Sequence, residues 1–216
     1  MLQKRSEIPK GSKLGEEWVE EYPGAKAACV LYDLGTDWLS IEPCAMRSTE
    51  HTKRAFQNFQ GPDEKCKLVY CDNAPELLAA LLALGLINPT STPACPETNG
   101  IAEQKVKHGK SGTRCMVIQS GLEITWWEIC APCFAFCHDI IALVRWPGDP
   151  MLSAYERRHH EQCSAVVCAV GVLVDFMKTP FPKNTPSPFG DRMIPGLMCG
   201  YYVLPGGRWS GDYLVA

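Results

Sequence analysis

The chain has no long hydrophobic run. Its longest apolar stretches, around Ala79–Leu86 and Ala165–Val174, fall short of the roughly 18 residues that a membrane-spanning helix needs, so no membrane partner is expected. Basic charge is also scarce: 21 Lys and Arg stand against 24 Asp and Glu, a formal net charge of −3. A protein that coats nucleic acid over its whole surface is usually basic, so any contact with nucleic acid must come from local patches. The opening residues Met1–Glu7 are polar and lead into no apolar segment of signal-peptide type, which predicts a nuclear or cytoplasmic protein. A Gly-rich phosphate loop of the P-loop or dinucleotide kind is missing too, as are internal repeats.

Apolar residues, by contrast, are plentiful. They make up 46% of 216 residues, with 21% charged, enough for one α/β core and a small appendage. The 12 cysteines are many for a chain without a secretory signal, and buried free thiols are the simplest account of them.

Local patterns give an element order. Residues 1–24 are polar. Ala27–Tyr32 and Trp38–Glu42 read as strands around a Gly35-Thr36 turn. Ser48 caps a helix running towards Phe59, which Gly61-Pro62 stops. Lys67–Cys71 reads as a short strand pointing at Asp72, and Pro75–Leu86 as a helix ended by Gly85. Ile87–Thr92 is extended, and Pro93–Gly100 forms a loop. Ile101–Gln119 is helical but weakened by Gly109 and Gly112; Leu122–Val144 is helical and interrupted by Pro132. Past Pro147–Pro150, Val166–Phe176 and Leu197–Val203 look like strands. This predicts a polar segment 1–24, a mixed α/β core over 25–146 and a small β-rich extension over 147–216.

Two carboxylates stand where metal chemistry would need them. Asp72 follows a strand, and Glu103 opens a helix after a glycine-containing turn. Such a pair suits a hard cation such as Mg²⁺ or Mn²⁺, although spacing alone is weak evidence. Cys130, Cys133, Cys137 and His138 offer a second cluster with one C-x-x-C pair; zinc or redox chemistry is conceivable there, but interleaved phenylalanines favour packing. His159, His160, Cys163 and Cys168 sit in a stretch that reads as irregular. Trp126-Trp127 reads as core at a helix start rather than as a base-stacking pair.

The blocks around the two acids carry more. Cys71-Asp72-Asn73-Ala74-Pro75-Glu76-Leu77, Leu84-Gly85-Leu86, Ser91-Thr92-Pro93 and Pro96-Glu97-Thr98-Asn99-Gly100-Ile101-Ala102-Glu103 follow in order. Together they resemble the central signature of retroviral and copia-like retrotransposon integrases. Trp126-Trp127-Glu128, Tyr155-Glu156-Arg157, Met198-Cys199-Gly200-Tyr201 and Gly207–Asp212 resemble later segments of the same family. The resemblance implies a ribonuclease H-like mixed sheet flanked by helices, with Asp72 and Glu103 as the second and third of three metal-binding catalytic carboxylates. It also implies that Lys107 and Lys110, on the face of Glu103 in a continuous helix, meet DNA phosphates. The implied partners are DNA, as element ends and target, and further copies of the chain.

The first carboxylate breaks the pattern. Asp33 belongs to what resembles the family's second strand, and only 38 residues lie between it and Asp72. The missing acid should fall at about residues 8–20, where Glu16, Glu17 and Glu20 are the only carboxylates. Glutamate is one methylene longer than aspartate, and productive metal sites tolerate errors of only about 0.5 Å. Ala74 replaces the glycine that follows Asp-Asn in the family, and the amino-terminal His/Cys zinc module has no counterpart. The sequence thus predicts a catalytically impaired integrase core that holds Mg²⁺ weakly, or a non-catalytic, domesticated nucleic-acid-binding module.

Overall fold

A computed structural model describes residues 24–62, 64–88, 100–144, 150–177 and 193–216. Strands β1 (Ala27–Tyr32) and β2 (Leu39–Cys44) form an antiparallel hairpin in which Tyr32 faces Leu39 and Ala27 faces Cys44. Its turn is built by Asp33. One carboxylate oxygen accepts from the Gly35 amide at 2.9 Å and the other from the Thr36 hydroxyl at 2.7 Å, an arrangement typical of Asp in turns. Helix α1 (Thr49–Gln60) starts at Ser48, whose hydroxyl accepts from the His51 amide, and stops at Gly61 in the left-handed region. Helix α2 (Pro75–Ala83) has Pro75 in its first turn and is closed by Gly85 at φ 66°.

Helix α3 (Gly100–Ser120) is one continuous rod of 21 residues. The sequence predicts weakening at Gly109 and Gly112, and the structure corrects this. Both glycines sit where helices and sheet approach most closely. A Cβ on Gly109 would stand 2.9 Å from the Ile41 side chain, and one on Gly112 only 2.1 Å from the Phe134 ring. The helix gives up some intrinsic propensity for close packing of Gly109, Thr113 and Val117 against its neighbours. A 3₁₀ turn (Ile124–Trp126) then leads into α4 (Trp127–Ile141), which carries Pro132 inside it. Trp126 and Trp127 are half-buried against the core, as expected.

A two-residue hairpin of β3 (Leu143–Val144) and β4 (Leu152–Ser153) precedes α5 (Ala154–His159). Helix α5 opens with a reciprocal capping box, Ser153 to the Glu156 amide and Glu156 to the Ser153 amide. The order Ser153-Ala154-Tyr155-Glu156 announces this helix, and the expectation of an irregular stretch around His159 missed it. Strands β5 (Leu173–Phe176), β6 (Ile194–Val203) and β7 (Trp209–Val215) make an antiparallel sheet centred on β6, with two register shifts along β7.

The molecule is thus mixed α/β, but the described strands form three antiparallel sheets of two, two and three strands rather than one mixed sheet. The expected strand at Lys67–Cys71 is extended chain, in which the Val69 amide donates to the Ile87 carbonyl at 3.0 Å and the Cys71 thiol to Asn88 Oδ1 at 3.6 Å. Leu68 and Tyr70 point outward, 60% and 42% exposed, so the apolar run has no second sheet face to cover. Of two buried clusters among the described residues, the smaller joins Leu39 and Ile41 to Ala131 and Ala135, and the larger joins Leu31, Trp38, Phe56, Leu81, Phe136, Tyr155, Met198 and Tyr201. At its centre α4 is buried nearly all round. Tyr155, Met198 and Tyr201, from the later part of the described chain, therefore pack in the same cluster as Leu31, Phe56 and Phe136.

Candidate nucleic-acid face and acid pair

Strand β1 is the common neighbour of the two segments that bear Asp72 and Glu103. The Cys29 thiol on β1 is pushed up to about 12, first by burial, then by Glu42, Cys44 and Cys71. Cys71, next to Asp72, is thus near enough to Cys29 to act on its charge. Helix α3 delivers Lys105, whose ammonium sits 3.9 Å above the Tyr32 ring at the end of β1. Asp72 itself is exposed, and one of its oxygens accepts from the Asn73 amide at 2.7 Å. Glu103 is exposed in the first turn of α3, where a negative charge suits the helix dipole.

Continuity of α3 settles one expectation about geometry. Positions 103, 107 and 110 lie on one stripe of an α-helix, and Glu103, Lys107 and Lys110 are all exposed. Sequence reasoning missed the next member: Arg114, also exposed, falls on the same stripe about 16 Å from Glu103 along the axis. The repeat of four and seven residues, extended by one step, would have found it.

Among the described residues, no group of three or more His, Cys, Asp or Glu stands close enough to hold an ion. Glu16, Glu17 and Glu20, and the Pro96–Asn99 part of the motif, lie outside the described residues. As donors, the two exposed carboxylates suit a hard divalent cation in chemistry, and one oxygen of Asp72 is already engaged with backbone. Asp33 is occupied by its turn and by Arg158, 4.0 Å away.

The cysteine cluster is packing. Cys130, Cys133 and Cys137 are buried in α4, and burial pushes the Cys130 thiol up to about 11. Cys133 is raised too, chiefly by its hydrogen bond with Cys137. Thiols raised in this way are poor nucleophiles, whereas Cys137 is lowered by its bond with Cys133 and stays buried among apolar neighbours. His159 lies in α5 against Trp38 and Tyr155, ring centroids 5.6 and 4.5 Å away.

A second polar group was not foreseen. Asp139 on α4 is fully buried, and both its oxygens accept from the Leu39 amide at 3.1 and 3.2 Å. Burial raises its carboxyl well above the ordinary value, against the pull of that bond and of Arg158 and Lys105. His138 Nδ1 lies 3.0 Å from the same carboxyl, and His108 of α3 lies 5.0 Å from His138 between ring centroids. Burial, then neighbouring charge, lowers both imidazoles below the usual histidine range.

Comparison of the whole chain with solved structures finds a match in the cryo-EM structure of the simian T-cell lymphotropic virus intasome in complex with PP2A regulatory subunit B56 gamma. That match has a TM-score of 0.51 at 12% identity and covers 86% of this chain and 68% of the other. The fold is integrase-like. The catalytic core domain of BIV integrase also aligns, at TM-score 0.43 and 16% identity, over 59% of this chain and 81% of that one. No protein-family model matches this chain, and no curated protein sequence does. At such identities the likeness speaks for the fold alone.

Proposed function

We propose that this chain is a retrotransposon integrase core of ribonuclease H-like descent that binds DNA through α3 and is impaired in strand transfer. The observation that carries the reading is the unbroken α3, with Glu103, Lys107 and Lys110 exposed on one stripe. Lysines at that spacing can neutralise successive phosphates and release counterions, which gives a protein of net charge −3 the local basic patch that it needs. Further copies of the chain are expected partners in this reading, and one solved structure with a similar fold is an intasome. The expected setting is nuclear or cytoplasmic.

Asp72 and Glu103 are the oxygen donors for Mg²⁺ or Mn²⁺ in this reading, with water completing the coordination. Bound divalent ions would activate water or a DNA 3′-hydroxyl and stabilise the leaving oxygen. Two acids hold such ions more weakly than three, and residues 8–20 contain no aspartate. That same gap favours a second reading, a DNA-binding module without catalysis. Purified full chain, labelled duplex DNA and Mn²⁺ or Mg²⁺ separate the two. Nicking or strand transfer that disappears in Asp72→Asn supports a residual enzyme. Salt-dependent binding without cleavage supports the module, and a chain that binds neither DNA nor divalent metal sinks both.

A further inference from the structure

We infer that His108 and His138 form a transition-metal site that clamps α3 to α4, with Zn²⁺ or a similar borderline ion held by two imidazoles and water. An imidazole nitrogen lies about 1.1 Å from its ring centroid and takes zinc at about 2.0–2.1 Å, so two imidazoles meeting one ion tetrahedrally have centroids about 5 Å apart. The observed separation is 5.0 Å, with the rings inclined at 68°. The two come from different helices, so an ion between them ties those helices together.

The buried carboxyl behind the pair is the second observation. Asp139 accepts from the Leu39 amide through both oxygens and stands 3.0 Å from His138 Nδ1. Once ionised, a carboxyl on one ring nitrogen fixes the tautomer and leaves the other nitrogen with its lone pair free for metal, as in carboxylate–histidine–metal triads. A cation bound beyond His138 favours that ionised form against the burial that raises Asp139. Here the carboxyl cannot swing away, because it is held at 0% exposure by a backbone donor. His108 is exposed and His138 is 18% exposed, so an ion can reach them from solvent. The charges around the pair oppose one another: Lys105, whose ammonium lies over the Tyr32 ring, lowers both imidazoles, and Asp37 raises His138. Packing of both imidazoles beside Phe134, at 5.3 and 6.1 Å, explains why they are near each other. It does not explain a buried acid on His138. The site is independent of the DNA-binding reading.

Zn²⁺ is titrated into the full chain carrying Cys115→Ser, which removes the one exposed thiol among the described residues. Imidazole ring resonances are followed by NMR and affinity by calorimetry. The ring signals of His108 and His138 should move together and saturate at one equivalent. His108→Gln should weaken binding at least tenfold without changing the fold, and Asp139→Asn should weaken it about 10- to 100-fold. An amide at 139 still accepts from Leu39 but presents a donor to Nδ1, so this variant tests the tautomer while the main-chain bond is kept. Movement of only one ring, or of neither, overturns the inference. So does unchanged affinity in His108→Gln, or loss of binding in Asp72→Asn with Glu103→Gln.

Discussion

Removing Arg158 tests how the second half of the chain is fastened to the first. The guanidinium is 2% exposed. It donates to the Phe59 carbonyl in the last turn of α1 at 2.5 Å and to the Gly206 carbonyl of the β6–β7 turn at 2.8 Å. It also meets Glu64 at 3.3 Å and Asp33 at 4.0 Å and lies against the Trp38 and Phe59 rings. One side chain therefore satisfies an orphan carbonyl at a helix end and pins two turns from distant parts of the sequence. Hydrogen bonds from a charged donor are each worth about 1.5–3 kcal/mol. The acids are 33% and 50% exposed, so their pairs add only about 0–1 kcal/mol each. The ring contacts bring about 0.5–2 kcal/mol. Burying the guanidinium costs several kcal/mol in return, which leaves a net loss of about 3–5 kcal/mol for Arg158→Ala. Arg158→Met restores most of the volume but leaves both carbonyls without their donor, and about 2–3 kcal/mol should still be missing. Urea unfolding followed by circular dichroism reads this as a lower midpoint at unchanged slope, and melting should fall by about 10 °C for the alanine variant. High salt should barely change the difference, because the main contributors are buried hydrogen bonds rather than exposed pairs. A loss below about 1 kcal/mol in Arg158→Ala, or a methionine variant as stable as the parent, would refute the assignment.

Three other outcomes are expected. His159 is pushed down to about 4, mainly by burial and then by Arg158 and Arg208, whereas in the unfolded chain it titrates near 6.5. Below that pH the unfolded state takes up the proton first, so the stability it contributes above pH 6.5 is lost as the pH falls towards 4; His159→Phe should flatten that limb in urea midpoints measured at pH 7 and 4.5. Gly61 has φ 65° and its Cβ would stand 2.5 Å from the Gly206 Cα, whereas Gly85 has φ 66° with open space around it. Gly61→Ala should therefore destabilise by about 3 kcal/mol or more and Gly85→Ala by only about 1 kcal/mol, and comparable losses would mean that backbone contact at Gly206 is unimportant. Lys107→Ala and Lys110→Ala should each lower the slope of log affinity against log salt for DNA by about 1, measured by fluorescence anisotropy, and an unchanged slope removes α3 from the interface.

How much of this was legible in the sequence depends on whether the deciding interaction was local. The β1–β2 hairpin, the Ser48 cap and the stop at Gly61 rest on residues within a few positions of each other, and the structure has them where the pattern puts them. The α5 capping box was equally local and was overlooked, because the stretch around His159 reads as irregular from its composition. The strand expected at Lys67–Cys71 failed for another reason: an apolar run becomes a strand only when a partner edge is available, and among the described residues its one backbone bond outside the segment is to Ile87.

The glycines of α3 make the sharper case. Judged by propensity, Gly109 and Gly112 argue against a continuous helix. Judged by packing, they are the positions at which Ile41 and Phe134 come too close for any side chain. The two judgements have opposite sign, and only long-range contact decides between them. Everything proposed for α3 follows from that decision, since a break at Gly109 would take Lys110 off the stripe of Glu103 and Lys107. The His138–Asp139 pair shows the same dependence. Adjacent in sequence, these residues look like an ordinary polar step at the end of an apolar helix. Their meaning comes from the Leu39 amide, a hundred residues away, which holds the acid inside and so places it behind the imidazole.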